Sequence, residues 1–186
     1  MAAAASNQVA AGADLRADLA RGAFNGSWTL VPSESSVRLK AKAMWGIVPV
    51  KGTFSELAGS ATVAADGGVT GRLEVKSASI NTKMKKRDEH LRSDDFFASD
   101  RFSDIVFEID QVTPTTSGLK AVGRLTVRER TIRLEFPVVV TDLDSGQMGV
   151  EAELQVDRSE LGLSYGGKGA TKMDNALIIH AVFARP

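Results

Sequence analysis

Ser36-Val37-Arg38-Leu39-Lys40-Ala41-Lys42-Ala43-Met44-Trp45 places Val37, Leu39, Ala41, Ala43 and Trp45 on one face of an extended chain and Ser36, Arg38, Lys40, Lys42 and Met44 on the other. Successive side chains of a strand point to opposite sides, so this period of two predicts a half-buried β-strand with one apolar row. Two alanines sit among the larger groups of that row and contribute little volume. Small inward residues in a closed sheet leave space.

The same alternation extends in both directions. Val48, Val50, Gly52 and Phe54 form the next row, and Ala61 and Val63 follow a break at Gly59. Asp66-Gly67-Gly68 is a hairpin signal, because its glycines accept positive φ between paired strands. The second arm carries Gly71, Leu73, Val75, Ser77 and Ser79, turning from apolar to hydroxyl. Further rows are Ile105, Phe107 and Ile109; Leu119, Ala121, Gly123, Leu125 and Val127; Ile132, Leu134, Phe136, Val138 and Val140; and Met148, Val150, Ala152, Leu154 and Val156. A last strand runs from Asn175 to Ala184 after a glycine-rich loop, Gly162 to Lys172, that holds Tyr165. With Ser27 to Val31 counted together with its successor as a bent unit, this makes roughly eight strands at the spacing of a sandwich or barrel. Most connections are too short for a crossover helix, so the strands are antiparallel. Closure removes unpaired edges, and a barrel of this size has room for one small ligand. The expected fold is all-β, an eight-stranded antiparallel lipocalin-like barrel over residues 27–186. Residues 1–26 form an extension with a short amphipathic helix between Ala10 and Arg21, built on Leu15 and Leu19.

One segment breaks the alternation. Ser79 to Phe97, with Lys83-Met84-Lys85-Lys86-Arg87-Asp88-Glu89-His90-Leu91-Arg92, reads as a charged helical insert over about residues 82–95. A long polar segment inside an antiparallel barrel covers a mouth, lines a cavity or carries function.

Composition narrows the classes. The 186 residues are 43% hydrophobic and 25% charged, enough for one core, and 23 basic side chains balance 23 acidic ones. No overall field favours nucleic acid or an anionic surface. Zero cysteines exclude disulfides and thiolate chemistry, and with only His90 and His180 no metal site or other cofactor is expected. No segment reaches the roughly 20 apolar residues of a membrane span, so stable membrane insertion is not expected. Met1-Ala2-Ala3-Ala4-Ala5-Ser6-Asn7 has no charged n-region and no leucine-rich run, which reads as cytoplasmic and leaves an exported form open.

Several pieces resemble the YceI-like family in order and spacing: Trp28 to Val37, Val50-Lys51-Gly52-Thr53-Phe54, Arg87-Asp88-Glu89-His90-Leu91, Ser93-Asp94-Asp95-Phe96-Phe97, and Val156-Asp157-Arg158-Ser159-Glu160-Leu161-Gly162-Leu163. The resemblance covers about residues 27 to 184. It implies an extended barrel enclosing a polyisoprenoid, such as a quinone or prenyl lipid, and acting as a carrier or buffer without agreed catalytic residues. Two pieces depart from it. Arg101-Phe102-Ser103-Asp104-Ile105 lacks the family's proline before a strand, and Arg128-Glu129-Arg130-Thr131-Ile132 stands where the family has a glycine-centred hairpin turn.

A greasy lumen needs no charged partner to hold an isoprenoid tail, since each buried methylene contributes about 0.8 kcal/mol. The expected lining is Val37, Leu39, Ala41, Ala43, Trp45, Phe54, Leu73, Val75, Phe107, Leu134, Phe136 and Leu154, with Arg87, His90 and Phe96 at the mouth. The two alanines together with Gly52, Gly71 and Gly123 argue for a void, whereas a packed barrel would use the same rows as solid core. Arg87, Asp88 and His90 have two readings. They hydrogen-bond a head group beside Ser77 and Ser79, or they are structural, with Asp88 paired to Arg92 one turn on. An enzyme acting on a bound lipid, with His90 as base and Asp88 orienting it, is the second class of function, and a structural or stress-associated interaction module with a filled core the third. Leu177, Ile179 and Phe183, set outward, would permit a homodimer.

Overall fold

A computed structural model describes residues 17–18, 21–43, 48–116, 118–143, 146–163 and 174–186, with side chains 42, 43, 48 and 174 excepted. The chain runs through β1 (Gly26–Leu30), β2 (Ser36–Ala43), β3 (Val48–Phe54), β4 (Leu57–Val63), β5 (Val69–Lys76), β6 (Ile80–Asn81), helix α1 (Lys85–Arg92), β7 (Asp104–Thr115), β8 (Gly118–Val127), β9 (Arg130–Leu143), β10 (Gln147–Asp157) and β11 (Asp174–Ala184). The ring β1-β4-β5-β7-β8-β9-β10-β11 closes because β1 pairs with both β4 and β11. All these pairings are antiparallel, and the result is an eight-stranded barrel whose closed ring removes the two edges that an open sheet would have to protect.

Three further strands are continuations. β1 and β2 are two halves of one bent strand against β11, paired at Thr29↔Ala184 and at Val37↔Ile179. The bend is a single 3-10 turn, Pro32–Glu34, whose proline cannot serve a ladder. Val182 keeps its bonds across it: its carbonyl accepts from Val31 N–H at 2.7 Å, and its N–H donates to Ser35 Oγ at 3.0 Å. The hydroxyl thus replaces the missing backbone acceptor. β3 and β4 bend likewise at Ser55 and Glu56, whose N–H groups both donate to Ser79 Oγ at 3.2 Å. β5 continues into β6 through the turn Ser77–Ser79.

At that end the barrel is completed by the insert. Beyond the last β5–β7 pair, Lys76↔Asp104, β6 pairs only with β3, and α1 with residues 93–103 follows it. Arg92 Nη2 donates to Ile80 O at 2.8 Å, and Ser77 Oγ bonds Ser99 Oγ at 3.0 Å and Phe102 O at 2.9 Å. The helix spans Lys85–Arg92, shorter than the expected 82–95, because Lys83 takes φ 65° and Ser93 an extended conformation.

The expected N-terminal helix lies almost wholly outside the described residues, as do Trp45 and Tyr165; the side chain of Ala43 is not described either. No described helix is long and apolar enough to cross a membrane.

Candidate functional site

The inward rows do not meet at the barrel axis. They leave two apolar chambers, one of about 340 Å³ at the α1 end and one of about 480 Å³ toward the Asp66–Gly67 hairpin. Both volumes fall within the usual range for small-molecule sites. Phe107 lines both, and across the sheet its register neighbours are Leu73 of the second chamber and Leu125 of the first. Large side chains at mid-height therefore form a waist. Alanines widen the two ends: Ala41 in the first chamber, and Ala61, Ala121, Ala152 and Ala181 in the second.

The glycines do something else. A Cβ on Gly123 would lie 2.2 Å from the Glu108 carbonyl oxygen, and one on Gly52 would lie 2.8 Å from Ile80 Cδ1. Gly123 permits close strand approach beside the β-bulge at Ile109 and Gln111, and Gly52 is covered by the fully buried Ile80. Of the three glycines expected to mark a void, only Gly71 borders one, in the second chamber.

Of the residues expected to line the lumen, Val37, Leu39, Ala41, Phe54 and Val75 line the first chamber, with Arg87, His90 and Phe96. Leu73 and Phe136 line the second. Leu154 and Leu134 line neither: Leu154 is 1% exposed within the core, and Leu134 packs against that core. Leu177, Ile179 and Phe183 point into the chambers, so they offer no outward face to a second copy. Sequence reasoning missed Phe24, placed in the extension yet 3% exposed and lining the second chamber. Its signal was Trp28 four residues on, whose Nε1 donates to Phe24 O at 2.8 Å.

The insert is held by a buried polar knot at its start. Asp88 Oδ1 accepts from Thr82 N–H at 2.8 Å and from Thr82 Oγ1 at 2.5 Å. The same hydroxyl accepts from Arg87 Nε at 2.8 Å, and Arg87 Nη2 donates to Thr82 O at 2.8 Å. Asp88 thus serves the N-terminal turn, where a carboxylate is favoured, and does not pair with Arg92. It does not orient His90 either: His90 Nε2 lies 3.3 Å from Asp95 Oδ2, with its ring edge-on to Phe96 at 5.1 Å. Ser77 and Ser79 spend their hydroxyls on the backbone and on Ser99, and line neither chamber. His180 faces outward, 3.4 Å from Glu151 Oε1.

The polar residues of the first chamber are Arg87, His90, Arg158 and Asn175, and no carboxylate lines it among the described residues. Asp157, just before Arg158, is turned aside: its Oδ1 accepts from Ser159 N–H at 2.9 Å and Oγ at 2.6 Å. Burial pushes the Arg158 guanidinium pKa below its ordinary value, with the Asp157 charge opposing. Among the described residues that guanidinium has no hydrogen-bond or ion-pair partner.

The family described as YceI-like domain matches residues 28–183. A UPF0312 protein of Staphylococcus aureus strain N315 is 32% identical over 151 residues, covering 75% of this chain and 83% of that protein. Burkholderia cenocepacia BcnA superposes with a TM-score of 0.73 at 18% identity, over 82% of this chain and 98% of BcnA. A polyisoprenoid binding domain from Saccharophagus degradans superposes at 0.68 with 13% identity, over 86% of this chain and 98% of that domain. The chain belongs to the YceI-like family.

Proposed function

We propose that the protein is a non-catalytic carrier or buffer for a polyisoprenoid, a quinone or prenyl lipid, or a similar long amphiphile held in the barrel lumen. The observation that carries this reading is the pair of apolar chambers that share Phe107 as a lining residue, about 340 and 480 Å³. Two apolar chambers that share a lining residue suit a chain molecule better than a compact one. Each five-carbon isoprenoid unit fully buried there contributes roughly 4 kcal/mol, so a few units offset the entropic cost of ordering the chain. The Saccharophagus degradans domain of the same fold, described as polyisoprenoid binding, supports the choice of ligand class.

A catalytic reading has less to stand on. The dyad it requires would set Asp88 against His90, and Asp88 is engaged with Thr82 instead. Mass spectrometry of an organic extract of gently purified protein tests the proposal. A single amphiphile near one equivalent per chain is expected; an extract with none above background opposes it.

A further inference from the structure

We infer that Phe24 is a stopper that sets how long a chain the lumen accepts: its ring closes the second chamber at the end opposite α1, and a chain running through both chambers ends against it. This rests on the carrier reading above and adds a specificity-determining residue and selection of the ligand by length.

Three observations carry it, and the first is position. Gly26 opens β1 opposite Val63, the last residue of β4 before the Asp66–Gly67 hairpin, so Phe24 stands at the rim on that side. Its side chain is nevertheless 3% exposed and lines the second chamber together with Ala65, Asp66 and Gly67. The second is the turn that delivers it. In Gly22-Ala23-Phe24-Asn25-Gly26 the two glycines take φ 72° and 122°, in the region that favours glycine, and Asn25 N–H donates to Gly22 O at 3.1 Å. The chain thus turns at the rim and presents one large apolar side chain to the chamber. The third is the anchoring. Phe24 precedes the first strand, so no ladder holds its backbone, and two side chains do so instead. Trp28 Nε1 donates to Phe24 O at 2.8 Å, Arg185 Nη2 donates to Ala23 O at 2.6 Å, and the Arg185 guanidinium lies 4.9 Å from the Trp28 ring. A ruler has to be held in one place, and ties on two successive carbonyls do that. Phe24 also lies before the matched span 28–183, so the stopper belongs to this chain's own extension. A chain that just reaches Phe24 buries all its units; each further unit stays outside the lumen and forfeits the burial of several methylenes.

The test partitions prenyl alcohols of rising length, from farnesol through geranylgeraniol and solanesol to dolichol, between phosphatidylcholine vesicles and the full chain, its Phe24→Ala variant and its Arg185→Ala variant. The share held by the parent is expected to rise with length to one alcohol and to fall at least about tenfold at the next longer ones, because units left in water lose what the bilayer would give them. Phe24→Ala should move that fall to longer alcohols while keeping the farnesol share within about threefold, which also reports that the variant is folded. Arg185→Ala alters only an exposed side chain and frees the Ala23 carbonyl, so it should move the fall in the same direction by less. If Phe24→Ala no longer holds farnesol, Arg185→Ala decides. A parent share that never falls with length, or a fall that stays at the same alcohol in the folded variants, overturns the inference and leaves the carrier reading intact. Retention of none of the alcohols by the parent overturns both readings.

Discussion

Arg128 shows how one residue can hold a conformation that sequence rules reserve for another. It is the first central residue of the β8–β9 hairpin and takes φ 57°, where a non-glycine residue is strained by about 1 kcal/mol or more. Its side chain supplies the compensation: Nη1 donates to Phe96 O at 3.1 Å, and the guanidinium lies 5.8 Å from the Phe102 ring, which Arg101 also approaches at 5.4 Å. The two departures from the family pattern, at Arg101-Phe102 and at Arg128, thus meet at one ring. Arg128→Gly is expected to leave overall stability within about 1 kcal/mol, since strain relief and the lost tie oppose each other. Amide exchange in residues 93–102 should nevertheless accelerate, and unchanged exchange there would show that the tie is idle. Glycines separate on the same scale. Gly123→Ala must force the Glu108 backbone aside and should cost about 3 kcal/mol or more in denaturant unfolding, whereas Gly71→Ala, with only ordinary contacts, should stay within about 1 kcal/mol of the parent.

Strands were legible because an inward row such as Val37, Leu39 and Ala41 must repeat every second residue to face a core. The ends of the insert were not, because they are set by contacts distant in sequence, such as Ser79 Oγ receiving Ser55 and Glu56. Asp88 is the clearest case: helical spacing pointed to Arg92, while the buried amide and hydroxyl of Thr82 offered a stronger, desolvated partnership. Asp88→Ala strands both donors and should cost roughly 1 to 3 kcal/mol, with Asp88→Asn costing less because an acceptor oxygen remains; equal stability of Asp88→Ala and parent in urea would refute the knot. Where the insert begins and ends, Lys76 Nζ lies 2.7 Å from Asp104 Oδ1, a close ion pair rather than a well-aligned hydrogen bond. The Lys76 ammonium, with the Ser103 hydroxyl, lowers the Asp104 pKa, and Asp104 raises that of Lys76. The carboxylate's contribution is complete above its unfolded value of about 4 and lost as pH falls through the lowered folded value; the amine's is complete below about 10.4 and lost as pH rises through the raised one. Lys76→Gln should therefore flatten both limbs of the stability profile, and identical limbs in parent and variant would contradict the pairing.

For the molecule as a whole, barrel closure and an apolar interior could be read from the rows, but the division of that interior could not. Leu154 and Ala152 share an inward row, yet one fills the core and the other borders the second chamber, because a closed, tilted sheet sends equivalent positions to different heights along the axis. Nothing in Asp157-Arg158-Ser159 says, likewise, that the Asp157 carboxylate turns to the Ser159 amide and hydroxyl while Arg158 lines the first chamber. Ala41→Trp places a bulky ring into the first chamber and is expected to weaken amphiphile binding at least about tenfold with little loss of thermal stability; strong destabilisation would mean that no space existed there. The most direct measurement is an electron-density map from crystals of gently purified protein. A hollow, oily lumen demands elongated density running from the first chamber past Phe107 into the second. Side chains closed across both chambers, with no room for a chain, would contradict it.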